Sequence, residues 1–145
     1  MKIQEQDIYH GPPLMQIVEH PSFKALNRAS KSYGHYLVNT DRQVFTKYRK
    51  TKRSPWQFVF APDELSALSQ ALSGADSVFV CLVCGHATIC ALNADELQQL
   101  VDVAAASQQS IRVEVPSGGS CHVSGSKGKL KRTVPHNSFP NKIFA

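Results

Sequence analysis

The chain predicts an α+β (or α/β) fold, a mixed central β-sheet flanked by about three helices. Three stretches carry that expectation. Trp56-Gln57-Phe58-Val59-Phe60 places an aromatic ring at every second residue, so one strand face is core and the other is not. Residues 77–84, Ser-Val-Phe-Val-Cys-Leu-Val-Cys, are almost wholly apolar, as a central strand covered on both faces must be. Between them Leu65, Leu68 and Leu72 recur at helical spacing. At 145 residues, 42% of them hydrophobic, the chain is long enough to bury one core without metals or disulfides.

Residues 1–20 show little periodicity, and Gly11-Pro12-Pro13 disfavours a helix, so this segment is expected to be an N-terminal arm lying on a single α/β domain of residues 21–145. Pro21 opens a predicted helix over 21–33, with Phe23, Leu26, Ser30 and Tyr33 on one face and Gly34 ending it. Strands are expected at 35–40 and 43–50, joined by the polar turn Asn39-Thr40-Asp41-Arg42. A Lys-, Arg-, Ser- and Pro-containing loop leads to the aromatic strand 56–60.

Pro62-Asp63-Glu64 then starts a helix over 62–73, because proline lacks an amide that would be orphaned there and the helix dipole favours the two acids. After the strand 77–84, Gly85-His86 turns into another at 88–92. Asn93-Ala94-Asp95-Glu96 has the form of a capping box for a helix over 93–106. Short strands at 111–115, 121–124 and 129–133, separated by Gly and Ser turns, complete the chain.

Charge is unevenly placed. The net value is +5, yet Arg42, Lys47, Arg49, Lys50, Lys52 and Arg53 crowd a stretch with no acid between Asp41 and Asp63, and after Glu114 only Lys127, Lys129, Lys131, Arg132 and Lys142 are charged. Two basic regions of this kind suit a polyanion, so DNA or RNA is the expected partner. The phosphate-contacting candidates are Arg42, Lys47, Arg49, Lys50, Lys52, Arg53, Lys127 and Lys129, with Tyr48 or Trp56 available to stack on a base if exposed. The alternative is a solvated, soluble surface. No segment has the apolar core of a signal peptide or approaches the roughly 18 apolar residues of a membrane helix, so a cytoplasmic protein with no membrane partner is expected.

The order helix-strand-strand-strand-helix-strand over residues 21–84 resembles the core of the restriction-endonuclease-like PD-(D/E)XK nucleases. Val44-Phe45-Thr46-Lys47-Tyr48-Arg49, followed by the aromatic strand, is similar to their lysine-bearing strand and its successor. The resemblance implies Lys47 as the catalytic lysine and Asp41 as a carboxylate holding Mg²⁺, the only cofactor such an enzyme would need. The chain departs from that pattern at Phe45, which stands where the family carries its second acid. Asp41 and Lys47 would lie about 20 Å apart on one straight strand, so they meet only if the turn folds Asp41 back. Asp41 is otherwise a turn residue and Lys47 a phosphate-facing or solvated one.

Cys81, Cys84 and Cys90 beside His86 have zinc-ligand residue types, but residues three apart on a strand point to opposite faces, so no metal site is expected. A Cys84–His86 nucleophile lacks a third, orienting group. Gly118-Gly119-Ser120 and residues 124–129 lack the strand-to-helix context of a phosphate loop and predict hairpin turns. The expected function is a small nucleic-acid-associated domain of nuclease-like architecture without cleavage. The alternative is a non-enzymatic protein-interaction or homo-oligomeric module.

Overall fold

The computed structural model describes residues 1–145 as two sheets and four helices. In chain order the elements are α1 (Glu5–Val18), β1 (Leu26–Arg28), β2 (His35–Val38), β3 (Arg42–Arg49), β4 (Trp56–Phe60), α2 (Pro62–Leu72), β5 (Ser77–Cys84), β6 (Thr88–Asn93), α3 (Ala94–Leu100), β7 (Gln109–Glu114), β8 (His122–Gly125) and α4 (Asn141–Phe144). A five-stranded mixed sheet has the order β1-β2-β3-β5-β6, and a three-stranded antiparallel sheet has the order β4-β7-β8. Only the β3–β5 pair is parallel in the larger sheet, running in register from Arg42 opposite Ser77 to Arg49 opposite Cys84. No helix is long and apolar enough to cross a membrane.

The α+β class, the strands at β2 to β5 and the helix between β4 and β5 match expectation. The mixed sheet is present too, but the strands divide between it and a second sheet. β4 leaves β3 and pairs with β7, Phe58 opposite Ile111, so its aromatic face closes over the larger sheet instead of extending it. Trp56, Phe58 and Phe60 are buried while Gln57 and Val59 are exposed. They meet Val80, Leu82, Cys84, Cys90 and Leu92 from the larger sheet, with Leu65 and Leu68 of α2 and Leu97 and Leu100 of α3. The opposite face of the larger sheet carries Val38, Val44, Phe79, Cys81, Val83 and Ala91, covered by Ile17 of α1 and by Phe139 and Ile143 near the C-terminal end. Burial on both sides explains the unbroken apolar text of β5.

Residues 5–18 form a helix, not an extended arm. Two consecutive prolines remove two ladder donors and would ordinarily break it, at about 3 kcal/mol or more each. Burial offsets that cost: His10, Pro13 and Ile17 face the sheet, and the Asp7 carboxylate accepts the Gln4 N–H at 2.7 Å.

Residues 21–33 do not form the expected helix. Asn39, in the left-handed region at φ 59°, accepts hydrogen bonds on Oδ1 from the Lys24 and Ala25 amides at 2.7 and 3.2 Å and donates from Nδ2 to the Ser22 carbonyl at 3.2 Å. One carboxamide therefore pulls 22–25 alongside the β2–β3 turn, and Leu26–Arg28 becomes an edge strand with Leu26 opposite Val38.

The capping box at Asn93 is present in both directions, Glu96 N–H to Asn93 Oδ1 at 2.9 Å and Asn93 N–H to Glu96 Oε1 at 3.0 Å. The helix it starts ends at Leu100, short of residue 106. Val101 is already extended, and the Leu100 carbonyl accepts the Lys127 amide at 2.9 Å from the last hairpin. The strand expected over 129–133 shrinks to isolated bridges, Ser124 to Lys129 and Cys121 to Val134.

β6 lies at the rim of the larger sheet, yet it is mostly buried. The C-terminal segment covers it: Thr88 donates to the His136 carbonyl at 3.3 Å, and Lys142 Nζ donates to the Ala91 carbonyl at 2.9 Å while pairing with Glu96 at 2.6 Å.

Candidate nucleic-acid interface

Strand alternation decides what the first basic run can do. Odd-numbered residues of β3 point toward β4 and α2, even-numbered ones toward α1. Lys47 accordingly reaches Glu64 on the first turn of α2, Nζ to Oε2 at 2.5 Å, and lies 5.0 Å from the centre of the Phe60 ring. The other Glu64 oxygen accepts the Ala61 amide at 3.0 Å. Lys47 is thus half-buried and neutralised. Glu64, which the sequence reading passed over as a helix-start residue, is its partner.

On the opposite side Lys50 pairs with Glu5 at 3.2 Å, and Tyr48 donates to the same carboxylate at 2.9 Å. The Tyr48 ring stacks on Tyr9, with centroids 4.6 Å apart and planes within 4°. Burial, and then the Glu5 carboxylate, push its phenol above the usual range. Trp56 is buried and its indole N–H donates to the Thr51 carbonyl at 2.7 Å. Neither ring is free to stack on a base. Arg42 donates to the Ile143 carbonyl at 2.7 Å and pairs with Asp41. Of the six cations in this run, Arg49, Lys52 and Arg53 remain exposed without a carboxylate partner.

Asp41 and Lys47 are not brought together. β3 stays extended beside β5 throughout, so the two side chains start about 20 Å apart. Phe45 stacks on His35 with centroids 3.9 Å apart. No group of three or more His, Cys, Asp or Glu side chains is arranged to hold a metal ion. The cysteines divide as strand geometry requires: Cys81 faces the α1 side, Cys84 and Cys90 the β4 side, and all are fully buried. Burial pushes the Cys81 thiol up to about 12 and Cys84 further still. Cys90 is also raised, first by its sulfur hydrogen bond with Cys121 and then by burial. His86 is exposed and Cys84 is not, so they form no nucleophilic pair.

The second basic region converges. On the smaller sheet Ile111, Val113 and Val123 point into the core, which leaves Arg112, Glu114 and His122 on the outer face, with Arg112 opposite Ser124 and Glu114 opposite His122. The bridges at Lys129 and Val134 bring residues 129–133 back beside β8. An open groove of about 490 Å³ results, walled by Arg112, His122, Lys129, Lys131 and Arg132. Glu114 is its one acid, and it already pairs with Arg112 at 3.3 Å.

Lys127 sits exposed at the hairpin tip next to this wall. At the other end Ser54 Oγ accepts the Val115 amide at 2.8 Å, which sets the loop bearing Lys52 and Arg53 close to Glu114. Arg112, His122, Lys131 and Arg132 were not among the expected contacts. The available signal was the absence of acids after Glu114, combined with the outward parity of Arg112 on its strand. No protein-family model, curated protein or solved structure matches this chain.

Proposed function

We propose that the protein is a nucleic-acid-associated domain that binds the phosphate backbone through the groove between β8 and residues 129–133. The observation that carries this is the convergence of Arg112, Lys129, Lys131 and Arg132, with His122, around a single carboxylate. Lys129, Lys131 and Arg132, with no carboxylate partner, stand beside the Arg112–Glu114 pair on one open wall; they attract a chain of phosphates at long range and fix it at short range, by release of condensed counterions. The exposed outer face of the smaller sheet presents no Phe, Tyr or Trp ring, so contacts there are mainly to phosphate and sugar, and sequence discrimination is small. Cleavage is not part of the proposal, since Lys47 is engaged by Glu64 and Asp41 lies at the far end of β3.

The test is the salt dependence of binding to mixed-sequence duplex DNA and to single-stranded RNA. Substituting Lys129, Lys131 and Arg132 together by Ala should reduce the slope of log affinity against log salt by about 2–3 units, since each phosphate contact contributes about 0.9 on duplex DNA. The wild type failing to bind either polymer at low ionic strength, or the triple variant keeping the wild-type slope, would sink the proposal. Self-association is the second reading, supported by the apolar residues Ile8 and Met15 exposed on α1. It predicts a concentration-dependent mass in sedimentation, abolished by Ile8→Glu.

A further inference from the structure

A hydrogen-bonded chain of four side chains runs across the larger sheet, from the loop after β1 over β2 and β3 to the residue before β5, and shares no residue with the groove. Ser30 Oγ lies 3.0 Å from His35 Nδ1, His35 Nε2 lies 2.9 Å from Gln43 Oε1, and Gln43 Nε2 lies 3.1 Å from Asp76 Oδ2. The chain has a direction. An ionised carboxylate only accepts, so Asp76 fixes the Gln43 amide with its NH₂ toward β5 and its oxygen toward His35. That oxygen requires a proton on Nε2, which leaves the Nδ1 lone pair facing Ser30. The serine must therefore donate.

The ring is also held in place. Phe45 stacks on it at 3.9 Å with planes within 16°, and the Ala29 amide donates to the His35 carbonyl at 3.1 Å, tying the serine loop to the start of β2. The Ser32 amide donates to Ser30 Oγ at 3.2 Å, a contact that favours negative charge on that oxygen as its proton leaves. Arg28 Nη2 donates to the Lys31 carbonyl at 2.9 Å, and Ser30 itself is exposed.

We propose that Ser30 is a base-activated nucleophile for activated acyl and phosphonyl esters, with His35 as its base and Gln43 and Asp76 as positioning residues. Hydroxyl, oriented imidazole and a remote carboxylate are the components by which a weak alcohol becomes reactive, and the amide of Gln43 relays the orientation that a direct carboxylate would impose. With an ester, Ser30 Oγ bonds to the carbonyl carbon while its proton passes to His35 Nδ1. The carbon–oxygen bond to the leaving group then breaks and His35 returns that proton to the departing alkoxide. Water, deprotonated by His35, then bonds to the acyl carbon, the bond from that carbon to Ser30 Oγ breaks, and His35 returns the proton to Ser30 Oγ, so ester and water become acid and alcohol. The flanking cations Arg28 and Lys31 favour anionic donors.

The experiment uses a fluorophosphonate probe, whose reaction forms the Ser30 O–P bond and breaks P–F, with fluoride leaving and the serine proton passing through His35 to water. Peptide mass mapping should find one adduct, on Ser30, absent in Ser30→Ala. His35→Asn should slow labelling by about 10²-fold, the contribution of a positioned base. Asp76→Asn distinguishes positioning from mere support. An amide at 76 also donates, so Gln43 can reverse, His35 then carries its proton on Nδ1, and labelling falls while the fold persists. ¹⁵N chemical shifts of the His35 ring read this tautomer change directly. Wild-type protein left unlabelled, an adduct that survives in Ser30→Ala, or Asp76→Asn labelling at the wild-type rate would each overturn the proposal.

Discussion

Replacing Phe58 with Ala tests the central packing feature, the closure of the smaller sheet over the larger. Phe58 is the middle residue of β4, opposite Ile111, and its side chain is wholly buried between the flanking rings of Trp56 and Phe60. Burying a Phe side chain contributes about 1.5–3 kcal/mol by transfer alone. The void left behind adds a further term, because two sheets and two helices meet there and relax only in part, which brings the expected loss to about 3–5 kcal/mol. That is a large share of the roughly 5–15 kcal/mol by which a domain is stable, and corresponds to a fall in Tm of about 10–15 °C. Gln57, its neighbour on the exposed face, supplies the control, and Gln57→Ala should cost about 0.5 kcal/mol or less. Urea melts followed by far-UV circular dichroism give both numbers. Equal losses at the two positions would refute the assignment of faces, and with it the two-sheet closure.

Burial lowers His10 below its ordinary value of 6.5, against an opposing pull from Asp7, so the unfolded chain takes up this proton more readily than the folded one. Stability should be intact above that value and decline as pH falls from about 6.5 through the lower folded value, and His10→Gln should flatten the decline in denaturant melts between pH 7.5 and 5. Asn39→Ala should cost about 2–4 kcal/mol, through three lost hydrogen bonds and a left-handed backbone that alanine resists, and should release the Leu26–Arg28 amides to rapid hydrogen exchange. Asn39→Gly restores the backbone freedom alone and should recover only part of that loss. Cys81, Cys84 and Cys90 should be inert to a disulfide reagent in the native protein and should react in denaturant, because all three are buried and their thiols are held above the usual range, Cys81 at about 12.

What could be read from the chain was whatever depends on local chemistry. The parity of Trp56, Phe58 and Phe60, the apolar run of β5, the proline and acids opening α2 and the box at Asn93 each act within a few residues, and each is found where expected. What could not be read depends on partners far along the chain. α1 survives its two prolines only because the sheet buries His10, Pro13 and Ile17, and residues 21–33 lose their helical spacing to one carboxamide at Asn39. The pairing of β4 with β7 joins residues some fifty positions apart, and periodicity carries no trace of it. The same limit applied to the site. Six clustered cations looked like one surface, but strand alternation sent Lys47 to Glu64 and Lys50 to Glu5. The sparser second region, folded back by a hairpin, became the continuous one.

The covering of β6 by the C-terminal segment also bears on how the protein is made. The carbonyl of Ala91 and the hydroxyl of Thr88 find their partners on residues that follow them by 51 and 48 positions. A ribosome adding about 5–20 residues per second leaves that interval open for several seconds. Throughout it the outer rim of the larger sheet presents unpaired peptide groups to any neighbouring chain, a template for intermolecular strand pairing. Lys142 finally closes the rim by donating to the Ala91 carbonyl, its charge held by Glu96, and covering an edge in this way removes it as a surface for a second strand to join. Cells short of chaperone capacity should therefore lose this protein during synthesis, before the last segment docks, more readily than after it.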